Sequence, residues 1–263
     1  MRDDGPSLTA RAVAVARSAL DRPASATGDP AADERLEADL VDGWQFPDSG
    51  RVRDWVAVRT AFFDAEVLDA LARGMSQVVI LGAGYDGRAL RFRTPGVTFF
   101  EVDHPHSQAD KRARLDVIGA DVEDVVFLAH DLMAGSLDDA LATAGHDAAL
   151  PTLFMAEGLL RYLPEDTIHH LFEVAASRAA GGSVLAITFS TLESEAVVPE
   201  AERTRDAFLQ EVGETVLTLP TRVLALAWLA AAGWRVTDVD DVPAEGKGPG
   251  EGRLLIRAVP AEA

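Results

Sequence analysis

The run Val78-Val79-Ile80-Leu81, followed at once by Gly82-Ala83-Gly84-Tyr85-Asp86-Gly87-Arg88, is the feature that most restricts what this chain can become. A β-branched and leucine run with no polar face belongs in a sheet that is covered on both sides. The glycines that end it allow tight backbone geometry and close approach of a ligand. Gly82, Gly84 and Gly87 satisfy G-x-G-x-x-G, and Glu101 and Asp103 follow where the next strand would end, the usual place of a ribose-binding carboxylate. The pattern predicts a buried strand feeding a loop that binds a nucleoside-containing cofactor.

The charge of the loop bears on which cofactor. A dinucleotide would set its pyrophosphate against the loop amides, where the carboxylate of Asp86 raises the electrostatic cost. S-adenosylmethionine carries no phosphate and presents an adenosine, a cationic sulfonium, and an amino acid end with one ammonium and one carboxylate. Acidic groups around the glycines suit its cationic parts, provided that a basic residue elsewhere takes the carboxylate. The same glycine spacing also serves ordinary strand-to-helix turns, so other residues must identify the ligand.

Further strands are predicted at residues 98–102, 125–128, 152–156, 183–189, 234–239 and 253–258, mostly separated by helix-length intervals. Such alternation implies a mostly parallel, doubly wound α/β sheet. The glycine- and proline-rich tract 243–252 is short enough to make the last two strands an antiparallel hairpin. Before the sheet, Ser7 or Thr9 can cap a helix reaching about residue 20, and a shorter helix is expected at 32–41. A strong helix at 52–73 turns Trp55, Phe62, Phe63, Val67 and Leu71 inward and ends at Gly74. Arg59 falls on or beside that buried face, where a guanidinium needs a partner. Residues 190–233 form a long insertion between the fifth and sixth strands, with helical patterns at 199–212 and 221–232, and part of it is a candidate substrate cover.

With 263 residues, 48% of them hydrophobic, the chain can build one large core, and a single domain over 1–263 is expected: a helical cap at 1–75 and a core at 76–263. A formal charge of −19 repels phosphate backbones and anionic lipid surfaces, so nucleic acid and membrane are poor partners. There is no cysteine, hence no disulfide framework or thiolate zinc site, and no His and carboxylate spacing compels another metal site. The first residues lack the apolar run of a signal peptide, and no stretch reaches the roughly 18 apolar residues of a membrane span, so a cytoplasmic protein is expected. A homo-oligomer is compatible with the sequence but not implied by it.

Several segments in order resemble the leucine carboxyl methyltransferase type of S-adenosylmethionine-dependent methyltransferase, including bacterial members that act on polyketides and other small molecules. They are Ser7-Leu8-Thr9-Ala10, Val58-Arg59-Thr60-Ala61-Phe62-Phe63-Asp64, Leu81 to Arg88, Phe100-Glu101-Val102-Asp103-His104-Pro105, His130-Asp131-Leu132, and the stretch from Pro151 to Leu163 that contains Glu157 and Tyr162. The resemblance implies a class I methyltransferase (Rossmann-like) fold, α/β with a seven-stranded, mostly parallel sheet in the order 3-2-1-4-5-7-6 behind cap helices. It implies that Arg59 pairs with the methionine carboxylate and that Gly82 and Gly84 admit the methionine moiety. Glu101 or Asp103 would accept the ribose hydroxyls, and Asp131 and Leu132 would form the adenine wall, although Asp131 could instead cap a helix. Glu157, ending the fourth strand at the topological switch point, would face the cationic end of the cofactor, and Tyr162 would orient a substrate oxygen. Where the family often carries threonine this chain has Gly87, which leaves the loop less side-chain support.

The histidines add little. His169 and His170 sit on a helix whose inward face is supplied by Ile168, Leu171, Phe172 and Ala175, and His104 and His106 offer only a weak general base. The expected activity is S-adenosylmethionine-dependent O-methylation of a small molecule, a carboxylate or phenol of secondary metabolism. The competing expectations are an NAD-dependent oxidoreductase, on the glycine spacing, and a non-catalytic module that keeps the cofactor fold.

Overall fold

A computed structural model describes residues 8–38, 50–192, 215–242 and 251–261. The apolar run becomes β1 (Gln77–Leu81), buried along its whole length. After it come α4 (Arg88–Arg91), β2 (Thr98–Asp103), α5 (Pro105–Val117), β3 (Val125–Ala129), α6 (Leu137–Thr143), β4 (Thr152–Ala156), a 3₁₀ turn (Leu160–Tyr162), α7 (Glu165–Ser177) and β5 (Val184–Leu192). The chain closes with α8 (Arg222–Ala231), β6 (Trp234–Val242) and β7 (Glu251–Pro260), and α1 (Leu8–Ser18), α2 (Ala32–Glu37) and α3 (Gly50–Ala72) precede the sheet.

The seven strands form one sheet in the order β3-β2-β1-β4-β5-β7-β6, with β7 antiparallel to both neighbours. This is the class I methyltransferase order. The expected hairpin between the last strands is present as their antiparallel pairing, while its connection, 243–250, and the helix expected at 199–212 lie outside the described residues. Because strand side chains alternate, β1 feeds two cores. Val78 and Ile80 pack with Phe63, Val67 and Ala70 of α3, and Val79 and Leu81 pack in the cluster of Ile168, Leu171 and Phe172 of α7 and Trp228 and Leu229 of α8.

The predicted face of α3 differs from the observed one. Trp55, Phe62 and Leu71 are only half-buried, and the fully buried stripe is Val56, Arg59, Thr60, Phe63, Asp64, Val67 and Ala70. Three polar residues thus occupy positions that helical spacing would reserve for core, which marks where this helix meets something other than hydrocarbon.

Candidate cofactor site

β1 and β4 are parallel neighbours, so their carboxyl ends open side by side at the switch point of the sheet. After β1, Gly82 (φ 65°) and Gly84 (φ 49°) adopt left-handed conformations. A Cβ on Gly82 would stand 2.8 Å from Leu159 Cδ1, and one on Gly84 would stand 3.1 Å from Ala10 Cβ in α1. Most loop amides already have acceptors. Gly82 N and Ala83 N donate to the carbonyl of Val102, Gly84 N donates to Asp103 Oδ2, and Arg88 N donates to Asp86 Oδ1. Two carboxylates therefore occupy amides that a pyrophosphate would need. At Gly87 a Cβ would meet Asp33 Oδ1 at 2.8 Å, so the missing side chain makes room for a carboxylate from α2.

That carboxylate belongs to a continuous chain of buried ion pairs. Asp33 accepts from Arg91 Nε at 2.8 Å and meets Arg22 at 2.5 Å; Arg22 and Arg88 share Asp64; Arg88 also donates to Asp86 and Glu157. Glu157 Oε1 accepts from Arg59 Nε at 2.7 Å and from Arg17 Nη2 at 2.9 Å. Among the described residues, five guanidiniums thus meet four carboxylates. Burial disfavours ionisation of Glu157, but Arg17, Arg88 and Arg59 outweigh it and hold its carboxyl well below the usual range. Asp86 is held low in the same way by Arg88 and Arg17.

Arg59 is the undercompensated member. Its pKa is lowered, first by burial and then by the like charges of Arg17 and Arg88, which the attraction of Glu157 does not offset, whereas Arg17 and Arg88 are raised. An excess guanidinium at this point suits one ligand carboxylate.

The other expected residues are distributed around this core. Asp103 accepts from Gly84 N and from His104 N, and Glu101 accepts from Lys111 Nζ; burial raises both carboxyls despite these donors. Asp131 does not cap a helix: it accepts from Met133 N in a turn, and α6 begins later with Ser136 as its cap. Leu132 is half-buried against the core. Tyr162 lies in the 3₁₀ turn after Glu157, with Arg161 Cζ 5.7 Å from its ring centre. His104 caps α5 by accepting from His106 N, and His169 rests on the Trp228 ring, centroids 5.0 Å apart, while His170 is exposed.

The sequence reading missed Arg17, Arg22, Asp33, Asp64 and Lys111. For Asp64 the signal was present, since Arg59, Thr60 and Asp64 recur at the spacing of one helical face. It also missed an aromatic and cationic rim at the carboxyl edge of the sheet. Trp55 lies between Arg59 (Cζ 5.8 Å from the ring centre) and Arg253 (4.8 Å), and Arg253 is the register partner of Ser190, whose hydroxyl is 3.5 Å from Arg161 Nη1.

Residues 12–176 match the leucine carboxyl methyltransferase family. Among curated relatives, one from Mycolicibacterium paratuberculosis, provisionally named an S-adenosyl-L-methionine-dependent methyltransferase, is 40% identical over 196 residues, 72% of this chain and 61% of the relative. Another of the same name, from Mycobacteroides abscessus, is 36% identical over 82% of this chain and 75% of its own length. The chain thus spans less than two thirds of the first of these relatives. A solved structure from Thermobifida fusca, described as that of a provisional methyltransferase, shares the fold with a TM-score of 0.59 at 16% identity, covering 99% of this chain and 97% of that one. The match over residues 12–176 and the relatives that agree with it establish the family: the chain belongs to the leucine carboxyl methyltransferase family.

Proposed function

We propose that this chain is an S-adenosyl-L-methionine-dependent O-methyltransferase of a small anionic acceptor, a carboxylate or acidic phenol of secondary metabolism, working in the cytoplasm without nucleic acid or membrane. The observation that carries the reading is the undercompensated Arg59 beside Glu157 and the glycine loop. Arg59 would hold the carboxylate of the cofactor's amino acid end, Glu157 would face its ammonium, Gly82 and Gly84 would leave room for its backbone approach, Asp103 or Glu101 would take the ribose, and Asp131 and Leu132 would border the adenine. When bound, the cofactor supplies an electrophilic methyl group on a sulfonium. The chain's own task is then to hold the acceptor oxygen in line and exclude water. Trp55, Arg253, Arg161 and Tyr162 form a rim suited to a flat or anionic acceptor, and an acceptor already ionised at neutral pH needs alignment rather than a strong base. Among the described residues no helix is long and apolar enough to cross a membrane.

The NAD reading is disfavoured by the loop amides that Asp103 and Asp86 already occupy. Calorimetry separates the two. S-adenosylhomocysteine should bind and NAD should not, and the reverse preference would overturn the proposal. Arg59→Ala should weaken S-adenosylhomocysteine by about 1.5–3 kcal/mol, the scale of a charge-assisted hydrogen bond, and leave 5′-methylthioadenosine, which lacks the amino acid end, unchanged. Equal loss for both ligands would return Arg59 to a structural role.

A further inference from the structure

Lys111 sits within α5, yet its side chain is only 2% exposed, where a helix-borne lysine ordinarily carries its ammonium to water. Its Nζ donates to Glu101 Oε2 at 2.5 Å and to the backbone carbonyl of Asp86 at 2.6 Å. The first partner stands near the end of β2 and the second lies inside the glycine loop. The side chain of the same Asp86 accepts from Arg88 N and Arg88 Nη1, and Arg88 Nη1 also donates to Glu157. The loop is therefore pinned twice from one side, through Gly84 N on Asp103 and through Asp86 O on Lys111. A buried charge pair is a costly way to join two elements, and an apolar pair of similar volume would pack at no electrostatic cost. An apolar pair could not, however, supply a donor to an inward-turned carbonyl.

We infer that Lys111 is a positioning residue for the cofactor site, acting through its bond to the Asp86 carbonyl to fix the path of the glycine loop and the aim of the Asp86 carboxylate. The inference rests on the cofactor reading above. Around Glu101 the charged groups are Lys111 from α5, Asp86 from the loop and Asp103 on its own strand, and burial raises its carboxyl against the pull of Lys111.

The test is a double-mutant cycle on the full chain with Glu101→Gln and Lys111→Met, read by calorimetry with S-adenosylhomocysteine and by thermal unfolding. In the Glu101→Gln background the charge pair is already gone, so a role limited to charge compensation predicts no further loss of affinity from Lys111→Met. Positioning predicts a further loss of roughly tenfold, the worth of a hydrogen bond from a charged donor, while the melting temperature of the double variant equals or exceeds that of Lys111→Met alone. If Lys111→Met cannot be purified, the double variant still decides. Affinity in the double variant equal to that of Glu101→Gln overturns the inference; absence of binding by the wild type overturns the cofactor reading and this inference with it.

Discussion

The two ends of the central strands bury polar groups in opposite ways. At the amino end, Thr152, His146, Gln77 and Arg178 form a network in which hydrogen-bonding capacity is matched. Arg178 Nε can only donate, so His146 Nδ1 accepts it at 3.1 Å and the ring proton lies on Nε2, facing Thr152 Oγ1 at 3.0 Å. Thr152 Oγ1 also accepts from Gln77 and donates to the Leu150 carbonyl, and Arg178 closes on His146 O and Asp138. One guanidinium is spread over a carboxylate, a ring nitrogen and two backbone carbonyls. At the carboxyl end, five guanidiniums meet four carboxylates among the described residues and Arg59 is left undercompensated. Saturation makes a structural joint, and a residual charge is what the proposed cofactor site would use.

Glu157→Gln should break the charged end most severely. Arg17, Arg59 and Arg88 would then converge on an uncharged amide, and the expected loss is about 3–5 kcal/mol of stability in denaturant unfolding. A change below about 1 kcal/mol would mean that water already screens the cluster and that the contrast with the amino end is illusory.

A smaller effect is expected from Arg178→Met at the amino end, about 1–3 kcal/mol, because the acceptors on His146 and Asp138 lose their donor. S-adenosylhomocysteine affinity should not change, since the proposed site lies at the other end of the strands. Loss of affinity at intact stability would show that the two ends are coupled.

The smallest effect is a pH slope. Burial, reinforced by Arg178, lowers His146 from 6.5 to about 4, so the unfolded chain binds the extra proton between these values. The stability due to neutral His146 is complete above the unfolded value and is lost as pH falls towards about 4, at about 1 kcal/mol between pH 6.5 and about 5.5. His146→Gln should flatten that segment of the stability curve. An unaltered slope would place the titration on another group.

Much of the fold was legible because strand and helix periodicities are local. The continuous apolar run of β1, the alternation of elements and the short tract before the last strand each follow from a few neighbouring residues. Arg59 and Asp103 could be picked out from local spacing in the same way, and Glu157 only through the family resemblance. Arg17 could not, because it meets Glu157 across 140 positions of sequence, and neither helix nor strand periodicity reaches that far. Gly87 shows the same limit: the space it leaves is filled by Asp33, a residue from another helix.

What the sequence determined by itself was the order of the elements, the turn chemistry of the glycine loop and the list of charged groups available to it. Only the tertiary structure decided how those charges pair. It spent Asp103 and Lys111 on the loop backbone, turned Asp86 onto Arg88, and left Arg59 as the cation in excess. The physical reason is that propensity and hydrophobic pattern act over a few residues, whereas the energy of a buried charge depends on every other charge brought near it, and that neighbourhood exists only once the chain has folded.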